Sequence, residues 1–319
     1  MKYLMIDTDI GNDCDDAAAA ALACMYEGAG LCKLLCFTVN TSDRYAPNCL
    51  DAIADTYGRR VKIGVYRGDG FPENPASYCK KVAERFGTAA PRERPEAVAL
   101  MRRELSSCPD KSVKIVCIGQ LNNFCALLRS QADENGTDGI SLVREKVCEV
   151  VIMGGMFGAD SVEFFGQAYT AEYNIATDVP DSILALELCP VDVTFSDFLL
   201  GKDVLTLGTL VRRSDEDPVG YAYELFCGGA RPSWDVLTVM YAVCGEGELF
   251  CRTARGTVTV LSDGRTKFTA SEEGRHCILR AASGNDALQA AIERAFETLR
   301  PSAQMSCTGE QSLSERPLR

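Results

Sequence analysis

The sequence alternates between short, nearly continuous apolar runs and longer segments with helical periodicity. Six of the apolar runs have the length of strands: 2–7, 31–40, 61–68, 113–119, 146–155 and 189–197. Helical patterns stand between them, for example at 15–28 and 178–188. Strands that are buried on both faces of a parallel sheet have such continuous apolar character. The alternation therefore predicts an α/β fold with a doubly wound, mostly parallel central sheet flanked by helices.

The last third of the chain departs from this alternation. The stretch 251–271 alternates apolar and polar residues around a turn at SDGR, which predicts a small C-terminal β-hairpin excursion. An amphipathic pattern at 285–299 predicts a closing helix. Because no linker divides the chain, we expect one domain over residues 1–300. The polar segment 301–319 is expected to be a disordered tail.

Charge and hydropathy exclude several classes of function. The net charge of −12 argues against a nucleic acid polymer as partner, since phosphate binding needs clustered Lys and Arg. No apolar run approaches the length of a membrane span, so no membrane partner is expected. The N-terminal MKYLMIDTD has too short an apolar stretch for a signal peptide. These features predict a cytoplasmic protein.

The sixteen cysteines lack CxxC pairs and are scattered through apolar elements, which favours buried free thiols over disulfides or a zinc site. Examples are Cys24, Cys36, Cys117, Cys125 and Cys244. The only histidine is His276, so a His-rich metal site is excluded. His276 stands at the start of a predicted strand, where we expect it to pack or form hydrogen bonds.

Five aspartates fall within ten positions directly behind the first strand: Asp7, Asp9, Asp13, Asp15 and Asp16. Like charges in a small volume raise each other's pKa, so a cation is expected to bring these side chains together. An EF-hand loop starting at Asp7 is excluded, because Asn12 and Ala18 occupy the positions that need Gly and Glu.

Three interpretations of the run stay open. An oxygen-rich Ca²⁺ or Mg²⁺ site would use carboxylates from this loop and from distant segments. A haloacid-dehalogenase-type phosphotransferase also carries a DxD motif after its first strand, with Asp7 as the reacting group. In the third, Asp13 or Asp15 caps the following helix, which accounts for one or two of the aspartates only.

Further polar residues follow other predicted strands, where ligands bind in such sheets. Asn40 ends the second strand, IGQLNN (118–123) follows the fourth, and AEYN (171–174) lies beyond the fifth. Separate strands therefore deliver carboxylates and carboxamides to one edge of the sheet. Asn122 and Asn123 are expected to cap the next helix.

The stretch DTDIGNDCDDAAAAAL resembles the N-terminal signature of the inosine-uridine preferring nucleoside hydrolase family. Five further blocks resemble that family and occur in its order: FTVNT (37–41), IGQLNNFCALL (118–128), VIMGGMF (151–157), AEYNIATD (171–178) and RPSWDVLTVMYAV (231–243). The resemblance extends from about residue 3 to 245. It implies Ca²⁺-dependent hydrolysis of the N-glycosidic bond of a ribonucleoside to ribose and free base, a reaction of purine and pyrimidine salvage.

The resemblance also implies roles for individual residues. Ca²⁺ would be held by the carboxylates of Asp9, Asp16 and Asp235 and by the main-chain carbonyl of Ile118. Asp9 would in addition act as the general base on a calcium-bound water, supported by Asp7 at the strand end. Ribose would be bound by Asp15, Asn40, Glu172 and Asn174. Relatives of this kind are often dimers or tetramers, so a homo-oligomer is an expectation as well.

The sequence departs from the family on the side of the nucleobase. Trp234 stands where well-known members have a histidine that assists the leaving base, and Gly166 replaces a sugar-contacting asparagine. Trp234 is expected either to contact the base or to be a core residue. Together with Phe164, Phe165, Tyr169 and Tyr173 it could form an aromatic wall. A non-catalytic ribose or nucleoside sensor that lost its leaving-group chemistry is an alternative to the enzyme.

Overall fold

The computed structural model describes residues 2–68, 70–72, 74–90, 92–132 and 136–301. The predicted disordered tail lies outside these residues except for its first position, Pro301. None of the helices in the described ranges is long and apolar enough to cross a lipid bilayer.

The strands of the described chain follow one another in this order: β1 (Tyr3–Thr8), β2 (Lys33–Val39), β3 (Lys62–Val65), β4 (Val113–Ile118), β5 (Val147–Met153), β6 (Val162–Phe164), β7 (Gln167–Tyr169), β8 (Val193–Ser196), β9 (Leu205–Thr206), β10 (Arg231–Pro232), β11 (Phe250–Arg252), β12 (Gly256–Val260), β13 (Thr266–Ala270) and β14 (His276–Ala281). The six predicted strands correspond to β1–β5 and β8. Their buried cores match the apolar runs, as in β1, where only Tyr3 is not fully buried.

The α-helices are α1 (Asp15–Gly28), α2 (Ala46–Thr56), α3 (Cys79–Phe86), α4 (Ala97–Ser106), α5 (Asn122–Arg129), α6 (Gly139–Lys146), α7 (Tyr173–Thr177), α8 (Val179–Leu188), α9 (Phe198–Gly201), α10 (Pro218–Phe226), α11 (Trp234–Cys244) and α12 (Asn285–Thr298). The bounds of α1 are those predicted from the sequence. By contrast, α3 lies in a Pro-rich stretch without a predicted helix, where only Cys79, Val82 and Ala83 supply a buried face.

The main sheet has the strand order β13–β12–β14–β8–β5–β4–β1–β2–β3, and the seven strands from β14 to β3 are parallel. From β1 the chain moves outward through β2 and β3, then returns to β4 on the other side of β1 and moves outward again. The direction of winding therefore reverses between β1 and β4. In open α/β sheets, ligands bind at this switch point, beyond the carboxyl ends of the strands.

Helices cover both faces of the sheet, which confirms the predicted doubly wound architecture. One face packs against α1, α2 and α11 and contains a large apolar core with Leu22 and Leu237. The other face packs against α4, α5, α6 and α8 around a second core that contains Leu100 and Phe124. Apolar burial on both faces explains why the central strands need nearly continuous apolar sequences.

The C-terminal third extends this sheet at its edge. β12 and β13 pair antiparallel around the turn at 261–265, and β12 joins β14 through Gly256 and His276. The hairpin is thus continuous with the main sheet.

Among the cysteines predicted to be buried, Cys24, Cys36, Cys117 and Cys125 are buried, but Cys244 is exposed at the end of α11. That prediction was wrong for Cys244, which is the last residue of α11 and is exposed although Tyr241, Ala242 and Val243 before it are buried.

Candidate active site

A cavity of about 240 Å³ opens at the switch point, above the carboxyl ends of the central strands. Its polar lining comes from the aspartate run with Asn12, from Ile118 at the end of β4, from Glu172 and Asn174 around the start of α7, and from Arg231. Its apolar lining is mainly aromatic: Phe164, Tyr169, Tyr173, Phe198 and Trp234. The cavity therefore has a carboxylate-rich part and an aromatic part.

Three buried carboxylates converge on the polar part. Asp15 and Asp16 lie in the first turn of α1, and Asp235 lies in the first turn of α11. One carboxylate oxygen of each lies within 4.8 Å of the other two. The positive ends of two helix dipoles thus face the cluster and favour negative charge there. The third carboxylate of this triplet is Asp15, whereas the family resemblance implies Asp9 beside Asp16 and Asp235.

The electrostatics of the triplet fit a bound divalent cation. Burial raises the pKa of all three carboxyls well above the usual range, and repulsion from neighbouring aspartates raises it further. Among the described residues, no Lys or Arg forms an ion pair with Asp15, Asp16 or Asp235. Hard carboxylate oxygens are the donors that Ca²⁺ and Mg²⁺ prefer. A cation of this kind would offset the repulsion between these carboxylates, which burial strengthens.

Asp9 lines the same cavity and is held by two amides. Nδ2 of Asn12 and Nε2 of Gln120 donate to its Oδ2 at 2.9 and 3.1 Å. Burial raises the pKa of Asp9 to about 6, although these two hydrogen bonds oppose the shift. Gly119 permits the close approach of β4, because a Cβ there would lie 2.8 Å from the Asp9 nitrogen and 2.5 Å from Nδ2 of Asn40. The sequence prediction did not include Gln120 or Gly119.

Asp7 lies beneath Asp9 and organises the strand ends. Its carboxylate is fully buried and accepts hydrogen bonds from Thr38, from Nδ2 of Asn123 at 2.8 Å and from Nδ2 of Asn40 at 3.2 Å. Burial nevertheless raises its pKa to about 7. Asn123 therefore links β1 to β2 instead of capping α5, whose N-cap is Leu121. The predicted capping role was wrong because the Asn123 side chain points at Asp7.

Hydrogen bonds fix the side chains of two predicted ribose-binding residues, Asn40 and Asp15. Nδ2 of Asn40 donates to Asp7 and to the Gln120 carbonyl, which fixes the carboxamide plane. Its Oδ1 is buried and has no hydrogen-bond partner among the described residues. Asp15 accepts the backbone N–H groups of Trp234 and Asp235 through Oδ2, at 2.9 and 3.0 Å. Asp15 thereby ties the start of α11 to α1 through one oxygen.

Glu172 and Asn174 stand on the opposite wall. Glu172 is the N-cap of α7 and accepts the backbone N–H groups of Asn174, Ile175 and Gly155 at 2.7–3.1 Å. Burial raises its pKa to about 7. Asn174 donates to the Met153 carbonyl at the end of β5. Both side chains are therefore fixed in place at the cavity wall.

Trp234 belongs to both the cavity wall and the packed interior. Its indole is only 8% exposed, stacks on Phe198 at 5.4 Å between ring centroids and meets Phe164 edge to face. The indole Nε1–H donates to the Phe198 carbonyl at 2.8 Å, so it is not available to a ligand. Gly201 leaves room for this ring, since a Cβ there would collide with Cδ1 of Trp234.

Asp13 has a different role from the one predicted. The N-cap of α1 is Cys14, and the Asp13 carboxylate instead pairs with Arg231, whose Nε lies 3.0 Å from Oδ1. Phe165 and Trp234 flank the guanidinium, with ring centroids at 5.4 and 5.8 Å. The predicted capping by Asp13 was wrong, because a cation 218 positions away competes for the carboxylate.

His276 lies in β14 and is not among the residues that line the cavity. Its Nδ1 accepts the Val258 backbone N–H at 2.8 Å, and its ring meets Phe195 edge to face. Burial lowers the pKa of His276 to about 4. The histidine is therefore a neutral packing residue in the folded chain.

This shift has a measurable consequence for stability. The unfolded chain takes up a proton at the ordinary histidine pKa, and the folded chain only near pH 4, so His276 is expected to lower the free energy of unfolding as pH falls between these values. The loss reaches up to about 3 kcal/mol. Urea unfolding of wild type and of His276→Asn, repeated from pH 7.5 to 4, measures this loss as the difference between the two unfolding free energies. Asn keeps an acceptor for Val258 and does not titrate; parallel pH profiles would contradict the assignment.

The fold and the cavity define a class of protein. They describe an α/β protein with a buried carboxylate cluster and an aromatic wall at the switch point of a parallel sheet. Residues 4–294 match the model of the inosine-uridine preferring nucleoside hydrolases. The chain belongs to this metal-dependent family. Membership makes it an N-ribohydrolase, and nucleosides are its substrate class.

Solved structures with the same fold have low sequence identity. The inosine-uridine preferring nucleoside hydrolase from Bacillus anthracis is 18% identical, with a TM-score of 0.67 over 92% of this chain and 99% of that one. The plant nucleoside hydrolase PpNRh1 is 17% identical, with a TM-score of 0.71 over 94% and 99%. The type III effector XopQ, complexed with adenosine diphosphate ribose, is 16% identical, with a TM-score of 0.63 over 94% of each chain. No curated protein matches the chain.

Proposed function

We propose that the chain hydrolyses the N-glycosidic bond of a ribonucleoside to ribose and free base, with Ca²⁺ as its cofactor. The observation that carries this proposal is the convergence of Asp15, Asp16 and Asp235 in the cavity that Asp9 also lines. Four carboxylates beside an aromatic wall suit a polar sugar joined to a planar base. They also suit a positively charged transition state.

The proposed Ca²⁺ site consists of Asp9, Asp16, Asp235 and the Ile118 carbonyl, with Asp15 beside it. Carboxylate and carbonyl oxygens match the ligand preference of this ion. When bound, the ion offsets part of the negative charge of the cluster and makes a water molecule more acidic. The separation of the helices that supply Asp16 and Asp235 is already fixed, because Asp15 joins α1 to α11.

Asp9 is the proposed general base. Its Oδ2 is occupied by Asn12 and Gln120, which leaves Oδ1 to accept a proton from the attacking water. These two amides fix the rotation of the carboxylate, and Asp7 and Asn40 support the strand ends beneath it. Positioning of this kind lowers the entropy that must be lost on the way to the transition state.

Ribose hydroxyls are the proposed partners of Asp15, Asn40, Glu172 and Asn174. The unpartnered Oδ1 of Asn40 supports this role, because a buried acceptor without a donor is unfavourable unless a ligand supplies one. Contacts that tighten as the sugar flattens raise kcat in addition to improving binding. Trp234 is proposed to contact the base through its ring face only, since Phe198 accepts its N–H.

Release of reducing sugar from a panel of ribonucleosides tests the proposal. We expect one ribose per free base, loss of turnover after chelation, and recovery when Ca²⁺ is restored. Ribose binding without turnover would favour the non-catalytic sensor. Phosphate release from a phosphorylated substrate in Mg²⁺ would favour the phosphotransferase. The cytoplasmic location, the role in salvage and the homo-oligomer stay predictions.

A further inference from the structure

We propose that Arg231 binds the departing nucleobase and stabilises the negative charge that develops on it. The inference rests on the proposed hydrolysis and names the side chain that stabilises the leaving base. Among the described residues that line the cavity, Arg231 is the only one with a cationic side chain. It lies at the aromatic part of the cavity, beside Trp234 and Phe165.

Position and orientation of the guanidinium are fixed by its neighbours. Asp13 accepts from Nε and Nη2, and the rings of Phe165, Phe226 and Trp234 lie 5.3–5.8 Å from the central carbon. Arg231 is also the first residue of β10, which pairs with β9. A cation that is held before the substrate binds loses little freedom during the reaction, as effective electrostatic stabilisation requires.

One end of the guanidinium is left for a ligand. The ion pair with Asp13 uses Nε and Nη2, and Nη1 has no acceptor among the described residues. Nη1 carries two N–H groups, which suit a ring nitrogen or exocyclic oxygen of a base. The flat aromatic rings beside it suit the plane of the same base.

The other candidates for this role are occupied or distant. The Trp234 N–H donates to Phe198, and His276 lies outside the cavity, packed against Phe195. Arginine stays protonated at every pH at which the fold persists, so Arg231 acts as a hydrogen-bond donor and fixed charge and not as a general acid. The substrates that need it are nucleosides whose base leaves as an anion.

The step then balances without a proton donor on the protein. The glycosidic C–N bond breaks and its electron pair leaves with the base nitrogen, while the water oxygen bonds to the anomeric carbon. One water proton passes to Asp9, which afterwards releases it to solvent. The base anion, held by Arg231, takes its proton from solvent, and Arg231 keeps all of its own.

The test compares leaving groups in the metal-loaded, full-length protein. Arg231→Gln is expected to lower kcat roughly 100- to 1,000-fold for the best nucleoside of the panel, in line with the loss of one donor to a developing negative charge. With 4-nitrophenyl β-ribofuranoside, whose leaving group is already stable as an anion, the loss is expected to be under about tenfold. Arg231→Lys keeps the charge and should fall between Arg231→Gln and wild type.

Arg85→Gln is the matched control. Arg85 pairs with Asp215 and lies 4.5 Å over the Tyr221 ring, but it is outside the cavity, so both substrates should turn over as in wild type. Equal losses on both substrates in Arg231→Gln would overturn the leaving-base role and leave the hydrolase intact. Wild type that cleaves only the nitrophenyl riboside would also overturn it. Wild type that cleaves neither substrate would overturn the proposed function itself.

Discussion

Asp9→Asn is expected to lower kcat about 10²- to 10⁴-fold, the usual contribution of a general base, while ribose still binds. The substitution is nearly isosteric, and the Asn carbonyl oxygen accepts from Asn12 and Gln120 as the carboxylate Oδ2 does. The amide nitrogen then occupies the position of the proton-accepting oxygen. Steady-state kinetics on the best nucleoside measure the loss, and calorimetry with ribose and Ca²⁺ measures binding.

Asp203→Asn is the control for the removal of one negative charge. Asp203 is exposed and pairs with Lys202, so its kinetics should equal those of wild type. A turnover of Asp9→Asn within about tenfold of wild type would exclude Asp9 as general base. Loss of Ca²⁺ binding together with turnover would instead make Asp9 mainly a metal ligand.

The elements that deliver the site were predictable because they depend on local sequence. β1 is an apolar run that ends in the aspartates, and α1 is a string of alanines whose first turn carries Asp15 and Asp16. Both patterns are visible in short, continuous stretches of the sequence. The family signature adds Asp235, Glu172 and Asn174, which no local pattern connects to the first loop. The structure brings these side chains to one cavity.

The partners of those residues were not predictable, because they depend on which strands become neighbours. Asn123 donates to Asp7 across 116 positions, and Arg231 pairs with Asp13 across 218. In the sequence, each has a simpler explanation as a helix cap or a surface charge. Only the pairing of β1 with both β2 and β4 makes Asn123 a link between strands. The sequence identifies the carboxylates of this site more readily than the neutral and cationic side chains that hold them.

Asp235→Asn is expected to abolish detectable turnover and Ca²⁺ binding, and to change thermal stability in opposite directions with and without the ion. Without Ca²⁺, burial and then repulsion from the neighbouring aspartates raise the pKa of Asp235, so its ionised form destabilises the fold. Stability from a raised carboxyl pKa is present at low pH and lost as pH rises. At pH 8 the metal-free variant should therefore melt above metal-free wild type.

With Ca²⁺ the order should reverse. A ligand at about 100 times its Kd adds about 2.7 kcal/mol to the unfolding free energy of wild type, and the variant receives little of this because a ligand of the ion is gone. Thermal melts at pH 8, with chelator and with excess Ca²⁺, measure both differences. Asp286→Asn is the matched control, since Asp286 also lies in the first turn of a helix but is exposed. Asp286 is not part of the carboxylate cluster found among the described residues, so the Tm of Asp286→Asn should rise with Ca²⁺ as much as that of wild type. An equal Ca²⁺-induced rise in Asp235→Asn would contradict Asp235 as a ligand of the ion.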